Sequence, residues 1–515
     1  VATDTAGPPN RGLLTVCVML ATVMQALDTT IANVALPYMQ GNLAATQDQI
    51  NWVLTSYIVA AAIMTPVTGF LAGRYGRKRL FLTAVAGFTV ASVLCGLAQS
   101  LPQIVLFRLM QGVFGAPLVP LSQSVLLDSY PKEKHGQAMA MWGVGVMVGP
   151  ILGPTLGGWL TEAYDWRWVF YINVPIGLLT FAGLSAFLGE TRKEATARLD
   201  WTGFATLSLA VGAFQLFLDR GEQLDWFGSA EIITELTLAA VGLYLFLVHT
   251  FTTPRPFIDP QLFKDTNFTI GLVCIFIVGV ILLATLALLT PYLQNLMNYP
   301  VLTAGIVLAP RGMGTMIAMM IVGRLIARID PRVMILFGIG LTIYVLWDMT
   351  GFTPNVSTAT LVRTGFLQGA GLGFLFVPLS TVTFATLTPE LRTQGTALYS
   401  LMRNLGSSIG ISVVTFLLTR NTQLVHAQIV EHVNPFNAAL RDAAMHHVIS
   451  LATVVGRAAL DAEITRQAAI IAYNDDFKLM MLVSCAAIPV ILLLRKPQRA
   501  GGGGGGGGAH AAVLE

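Results

Sequence analysis

Two stretches decide how this chain is built. Gln111-Gly112 is followed by Val119-Pro120-Leu121-Ser122, and Gln368-Gly369 is followed by Val377-Pro378-Leu379-Ser380. The same pairing recurs on either side. Gly69 precedes Arg74 and Arg77, as Gly323 precedes Arg328 and Arg332. Pro131…Gly136-Gln137-Ala138 is answered by Pro389…Gly395-Thr396-Ala397. Three matches in one order, each roughly 255 residues from its partner, mark an internal duplication, which is sought before any other motif.

What is duplicated follows from composition. Of 515 residues, 54% are hydrophobic and 11% charged, against about 25% charged in an ordinary soluble domain. Mean hydropathy is +0.69. These values exclude a typical soluble enzyme and a disordered chain, and a net charge of +3 is too small for a polyanion partner. The four cysteines, Cys17, Cys95, Cys274 and Cys485, sit in apolar runs without metal-ligand spacing. The first apolar run is too long for a cleavable signal peptide and lacks a small-residue cleavage site.

A helix crosses a bilayer with about 20 apolar residues. Fourteen runs qualify: 13–36, 51–72, 80–99, 103–127, 137–158, 167–188, 201–219, 231–251, 267–291, 303–326, 333–352, 360–384, 397–419 and 476–494. None alternates as barrel strands would. With the N-terminus inside, the inner segments hold 19 Lys and Arg and the outer ones six. Positive residues favour the cytoplasmic side, so both termini are expected there. The fold expected is an all-α membrane protein of 14 transmembrane helices. Residues 1–200 form one six-helix half, 201–255 two inserted helices, and 256–499 the second half. Within that half, 420–475 is a long outer loop, with short amphipathic helices expected from Val448 to Ile471. Residues 500–515 are a Gly-rich flexible tail. Two six-helix repeats about a membrane-normal axis are a transporter plan, with the substrate site between them.

Several motifs carry a family resemblance over essentially the whole chain. They are Leu27-Asp28-Thr29-Thr30-Ile31-Ala32-Asn33-Val34-Ala35-Leu36-Pro37, Arg108-Leu109-Met110-Gln111-Gly112, Gly145…Gly149-Pro150…Gly153-Pro154…Gly157-Gly158 and Arg167-Trp168-Val169-Phe170-Tyr171-Ile172-Asn173-Val174-Pro175. In these the chain resembles the fourteen-helix drug:proton antiporters of the major facilitator superfamily, the EmrB-type multidrug exporters. The resemblance implies export of hydrophobic compounds across a bacterial inner membrane, driven by the proton gradient without a cofactor. It also implies a periplasmic adaptor of EmrA type and a TolC-like outer-membrane channel. One position departs from the family: Gly73 stands where the loop after helix 2 usually has Asp, so gating through Gly69, Arg74 and Arg77 must differ in detail.

The residues give their own reading. Asp28 lies deep in an apolar run, where a carboxylate costs about 2.5–3.5 kcal/mol on insertion scales. It is a candidate proton-coupling group, or else a structural carboxylate bonded to Thr29, Thr30 or Asn33. Arg108 stays charged. The resemblance gives it a part in proton transfer; the alternative is an arginine reaching the interface. Gly145, Gly149, Gly153 and Gly157 repeat every four residues and form a smooth face for close helix approach, with Pro150 and Pro154 bending the helix. Candidate substrate contacts are Gln25, Asn33, Tyr57, Gln111, Trp142, Phe366 and Gln368, with adaptable surface from some of the 19 methionines. Arg311 and Arg403 lie deep; Arg311 is expected to shape the cavity or neutralise Asp28. Asp348 and Arg363 either pair or sit at the interface. No ATP-binding loop, metal cluster or catalytic constellation is recognisable.

Overall fold

The computed structural model describes residues 10–190, 199–254, 256–433 and 453–494. Its longer helices are α1 (Arg11–Asn42), α2 (Trp52–Met64), α3 (Thr68–Tyr75), α4 (Arg77–Leu97), α5 (Leu101–Gly115), α6 (Leu118–Ser129), α7 (His135–Ala163), α8 (Asn173–Phe187), α9 (Trp201–Arg220), α10 (Ala230–Thr252), α11 (Thr266–Pro291), α12 (Val301–Leu325), α13 (Pro331–Met349), α14 (Thr358–Phe384), α15 (Pro389–Glu431) and α16 (Val454–Leu492). No strand occurs among the described residues. Without water to satisfy backbone groups, an apolar layer admits helices, whose bonds are internal. Asp200, Asp265 and Ser357 cap the starts of α9, α11 and α14 by accepting from Gly203, Phe268 and Thr360 backbone N–H groups.

All fourteen apolar runs fall in helices. Among the described residues, twelve helices are long and apolar enough to cross a membrane, and α2 with α3 makes a thirteenth as one span bent by 57°. The bend falls at Pro66, which cannot donate a backbone hydrogen bond. The run at 476–494 lies in α16, whose membrane-length half begins with Asp475, Asp476 and Lys478.

The segment 420–475 differs from expectation. Residues 420–431 continue α15 without a break, and 454–475 are the first half of α16; residues 434–452 and the tail 500–515 lie outside the described residues. Of the stretch Val448 to Ile471 expected to hold short amphipathic helices, the described part from Val454 is helical, but it belongs to the long helix α16 rather than to a separate short one. At 43 and 39 residues, these helices run roughly 65 and 58 Å, about twice a bilayer's hydrocarbon core. They pair in their polar parts, where His426 Nε2 lies 3.0 Å from Asp461 Oδ1.

The duplication is visible in the packing. Along α7, Gly149, Gly153 and Gly157 face α1. A Cβ on Gly149 would sit 2.4 Å from the Ala26 carbonyl carbon, and one on Gly153 would meet Thr30. Gly145 is looser, with Met19 at 3.5 Å. Thr30 Oγ1 donates to Gly149 O at 3.0 Å. The second half repeats this contact. Gly406 and Gly410 of α15 lie on the Phe276 and Val280 carbonyls of α11, and Ser407 Oγ donates to Gly279 O at 3.2 Å.

The halves meet along two seams. In one, α7 packs on α12: Gly143 faces Met319, Gly312 faces Ile151, and Gly305 lies near Pro154. In the other, the inserted helix α9 lies between α2 and α15. Thr55 donates to Asp219, and Gly212 lies against Ile63. On the far side Gln215 Nε2 donates to Ser408 Oγ at 3.0 Å and Ser412 Oγ donates to Leu218 O at 2.7 Å. Helix α10 covers α9 and shows Leu243, Tyr244, Leu247 and Phe251 outward, as a lipid-facing helix would.

The glycine face gives the first prediction. Gly149→Leu must displace backbone, so it is expected to cost at least about 1–3 kcal/mol by overpacking. Gly158→Ala, whose added carbon meets nothing within 4 Å, should leave stability unchanged. Thermal unfolding of the purified variants in detergent compares them, and equal midpoints would refute the packing role.

Candidate functional site

Asp28 and Arg108 meet. Asp28 lies halfway along α1 and Arg108 halfway along α5, both with no exposed surface. Arg108 Nη1 donates to Asp28 Oδ2 at 2.6 Å. The other carboxylate oxygen accepts from Gln111 Nε2 at 2.8 Å and from Asn173 Nδ2 at 2.9 Å. Arg108 also donates to Gln111 Oε1 at 2.8 Å and, through Nε, to Val53 O at 3.0 Å. Its guanidinium stacks over the Tyr57 ring, 4.5 Å from the centroid. Ser92 receives bonds from Gln111 and Asn173 and passes its own proton to Phe170 O. Five helices of the first half, α1, α2, α4, α5 and α8, thus converge on one sealed polar cluster.

The arrangement has a chemical consequence. Asp28 is fully occupied here by one charged and two neutral donors. A buried guanidinium parted from its carboxylate loses its counter-charge, so Asp28 and Arg108 hold each other in place. Thr29, Thr30 and Asn33 play no part in holding Asp28: Thr29 and Thr30 bond to backbone carbonyls, and Asn33 is exposed.

The other expected contacts are dispersed. Gln111 and Tyr57 belong to the Asp28 cluster, and Gln25 joins its edge by donating to Tyr57 Oη at 3.3 Å. Trp142 of α7 is buried and stacks on Phe376 of α14, with centroids 5.7 Å apart, joining the two halves. Phe366 is half-buried. Gln368 is fully buried, and neither amide atom has a partner. Arg311 lies away from Asp28; its Nη2 donates to Leu282 O at 2.7 Å. Asp348 and Arg363 pair at 2.7 Å.

The loop motif acts through an acid that the sequence reading missed. Asp128, at the end of α6, binds both Arg77 and Arg392, the latter in the second half. Arg77 Nη2 also donates to Pro389 O at 3.1 Å. Ser124 and Thr393 share a hydrogen bond of 2.9 Å, and a Cβ on Gly69 would meet Gln394 Cα at 2.8 Å. A Cβ on Gly73 would meet nothing within 4 Å, and the acid that engages Arg77 comes from α6 instead. Arg74 is also engaged. Asn173 and Ser92 were missed too. Asn173 was visible as an amide in an apolar run; Ser92 gave no signal, since serine is common in membrane helices.

Comparison with known proteins gives one family. The family model described as Major Facilitator Superfamily matches residues 18–411. The multidrug export protein EmrB of Escherichia coli (strain K12) is 38% identical over 470 residues, covering 90% of this chain and 91% of that one. The fatty acid resistance protein FarB of Neisseria gonorrhoeae is 38% identical, covering 91% and 94%. Among solved structures, the proton:xylose symporter XylE superposes with a TM-score of 0.59 at 14% identity, over 92% of this chain and 94% of that one.

Breaking the cluster from one side should be costly. Asp28→Asn strands Arg108 and is expected to lose about 3–5 kcal/mol. Adding Arg108→Gln to it should recover part of that loss, giving a coupling of about 1–3 kcal/mol. A double-mutant cycle by chemical denaturation measures it; strictly additive losses would mean that the pair is not what stabilises the bundle.

Proposed function

The chain belongs to the major facilitator superfamily, as a multi-pass membrane transporter, and from that premise we propose that it exports hydrophobic drugs and toxic compounds across a bacterial inner membrane in exchange for protons. The observation that carries the proposal is the sealed Asp28–Arg108 pair. A carboxylate so placed can hold a proton or a guanidinium, but not both to advantage. In one conformation Arg108 displaces the proton; in the other the proton displaces Arg108. An amphipathic compound bound between the halves would favour the first, proton-free state and leave as proton binding restores the second. Similarity to EmrB over nine-tenths of both chains supports the choice of export and of substrate class.

In this reading the chain crosses the membrane fourteen times, with both termini in the cytoplasm, and Asp128, Arg77 and Arg392 close the cytoplasmic end. The overlong α15 and α16 project into the periplasm and meet an adaptor of EmrA type, which leads to a TolC-like channel. A second reading, a dedicated exporter of one natural product, fatty acid or siderophore, is favoured by the similarity to FarB.

Two experiments test the proposal. Protein in liposomes with an imposed pH gradient should accumulate a fluorescent hydrophobic drug only while the gradient lasts, and Asp28→Asn should abolish this. Gradient-driven transport by the well-folded variant would remove Asp28 from the coupling. Replacing residues 424–470 by a short Gly-Ser linker should end adaptor crosslinking and cellular resistance while transport in liposomes persists. Resistance and crosslinking that survive the replacement would exclude the projecting pair as the docking element.

A further inference from the structure

The two halves share a backbone plan but not a charge plan. In the first, Asp28 and Arg108 cancel. In the second, the equivalent acid is missing. Gly149 rests on Ala26 and Gly406 on Phe276; two residues beyond Ala26 stands Asp28, and two beyond Phe276 stands Val278. The equivalent arginine is missing too, because Gly365 precedes Gln368 by the spacing at which Arg108 precedes Gln111. A guanidinium nonetheless enters from the neighbouring helix. Arg311 of α12 lies as far before Gly323 as Tyr57 lies before Gly69. Its Cβ is 3.9 Å from where a Cβ on Gly365 would be, so the missing side chain of α14 leaves the room it occupies.

This second arginine has no counter-charge among the described residues. Arg311 is 7% exposed. One terminal nitrogen has the Leu282 carbonyl, and the other is buried without any partner. It lines a cavity of about 10 Å³ with Leu289, Leu293, Val307, Leu361 and Thr364. Arg403 of α15 is a second guanidinium of this half without an ion pair among the described residues, and the buried Asp476 of α16 pairs with neither. Arginine does not shed its charge, and an unpaired one within a membrane protein is expensive enough to mark a functional position. The unpartnered amide of Gln368 one turn along α14 adds further hydrogen-bonding capacity that the fold leaves unused.

We infer that Arg311 is the seat for the anionic group of an exported amphiphile, a carboxylate above all. The inference rests on the exporter reading and narrows its substrates to compounds with one negative charge on an apolar body. A planar guanidinium receives a carboxylate through two parallel hydrogen bonds, which a neutral amide or an amine cannot reproduce. As it stands the cavity has room for one water. The seat widens when α12 moves, and α12 is the helix that forms the seam with α7.

The test uses the full chain in nanodiscs and three fluorescent probes with one aromatic body: anthracene-9-carboxylate, its primary amide and 9-(aminomethyl)anthracene. Fluorescence polarisation should show the carboxylate binding about tenfold or more tighter than the amide, as a charge-assisted hydrogen bond implies, and the amine weakest. Arg311→Gln should bring the carboxylate-to-amide ratio close to one, and Arg311→Lys should keep part of the preference. Equal binding of the three probes to the unaltered chain overturns the inference without any variant, as does a ratio that Arg311→Gln leaves intact. A preference present in zwitterionic lipid and abolished in anionic lipid would assign the seat to a lipid headgroup and also overturn it. Transport in liposomes separates this from the exporter reading. If export is wrong, the pH gradient moves the probes no further than it does in protein-free liposomes, although the carboxylate preference in binding remains. If the anion seat is wrong, probes move without charge preference.

Discussion

Everything in the first half turns on one buried pair of opposite charges. Asp28 and Arg108 come from helices that also make close glycine contacts, Gly149 on α1 and Gly112 of α5 on α2. Arg108 also bonds the α2 backbone at Val53, so the pair cannot part without disturbing the packing of α1, α2 and α5. A buried ion pair is seldom a good stabiliser compared with apolar side chains of equal volume. Under the proposed proton exchange, its value lies in having two arrangements, one with and one without a proton. The neutral donors Gln111 and Asn173 suit that role, because an amide can hydrogen-bond an acid in either charge state.

The duplication gives each half the same skeleton and leaves the chemistry free to diverge. Close helix crossing needs glycine on one side and carbonyls on the other, and both halves meet that need at corresponding places. Side chains pointing into each half are under no such constraint. One half therefore pairs its deep arginine with a carboxylate. The other carries a deep arginine, Arg311, whose hydrogen bond goes to a backbone carbonyl. Under the proposed exchange, the first would serve the proton and the second the cargo.

Much of this was legible in the sequence. Apolar run length located the twelve helices long enough to cross a membrane and the bent thirteenth, because a bilayer sets a length that chance composition rarely meets. The glycine period of α7 and the deep charges Asp28 and Arg108 stood out for the same reason. What was not legible depended on pairing across the chain. Nothing in the order of residues says that Arg108 reaches Asp28 and Arg311 does not, since both arginines lie at similar depth. Asp128 was hidden because it ends an apolar helix, where an acid is unremarked, and its partners Arg77 and Arg392 are far away in sequence. The extent of α15 was misjudged because the outer segment is polar enough to be read as loop, while helix continues wherever no proline or glycine stops it.

The long pair α15 and α16 has a mechanical meaning. A helix that packs by one half in the bundle and leaves roughly 30 Å projecting from it is a lever with its fulcrum where the bundle ends. Small tilts of the second half, too slight to matter among tightly packed glycines, become lateral sweeps at the tip. Two such rods clasped at His426 and Asp461 resist bending better than either alone. Whatever rests on the tip would thus feel each cycle as a displacement, and would receive the timing of the transporter without touching its interior.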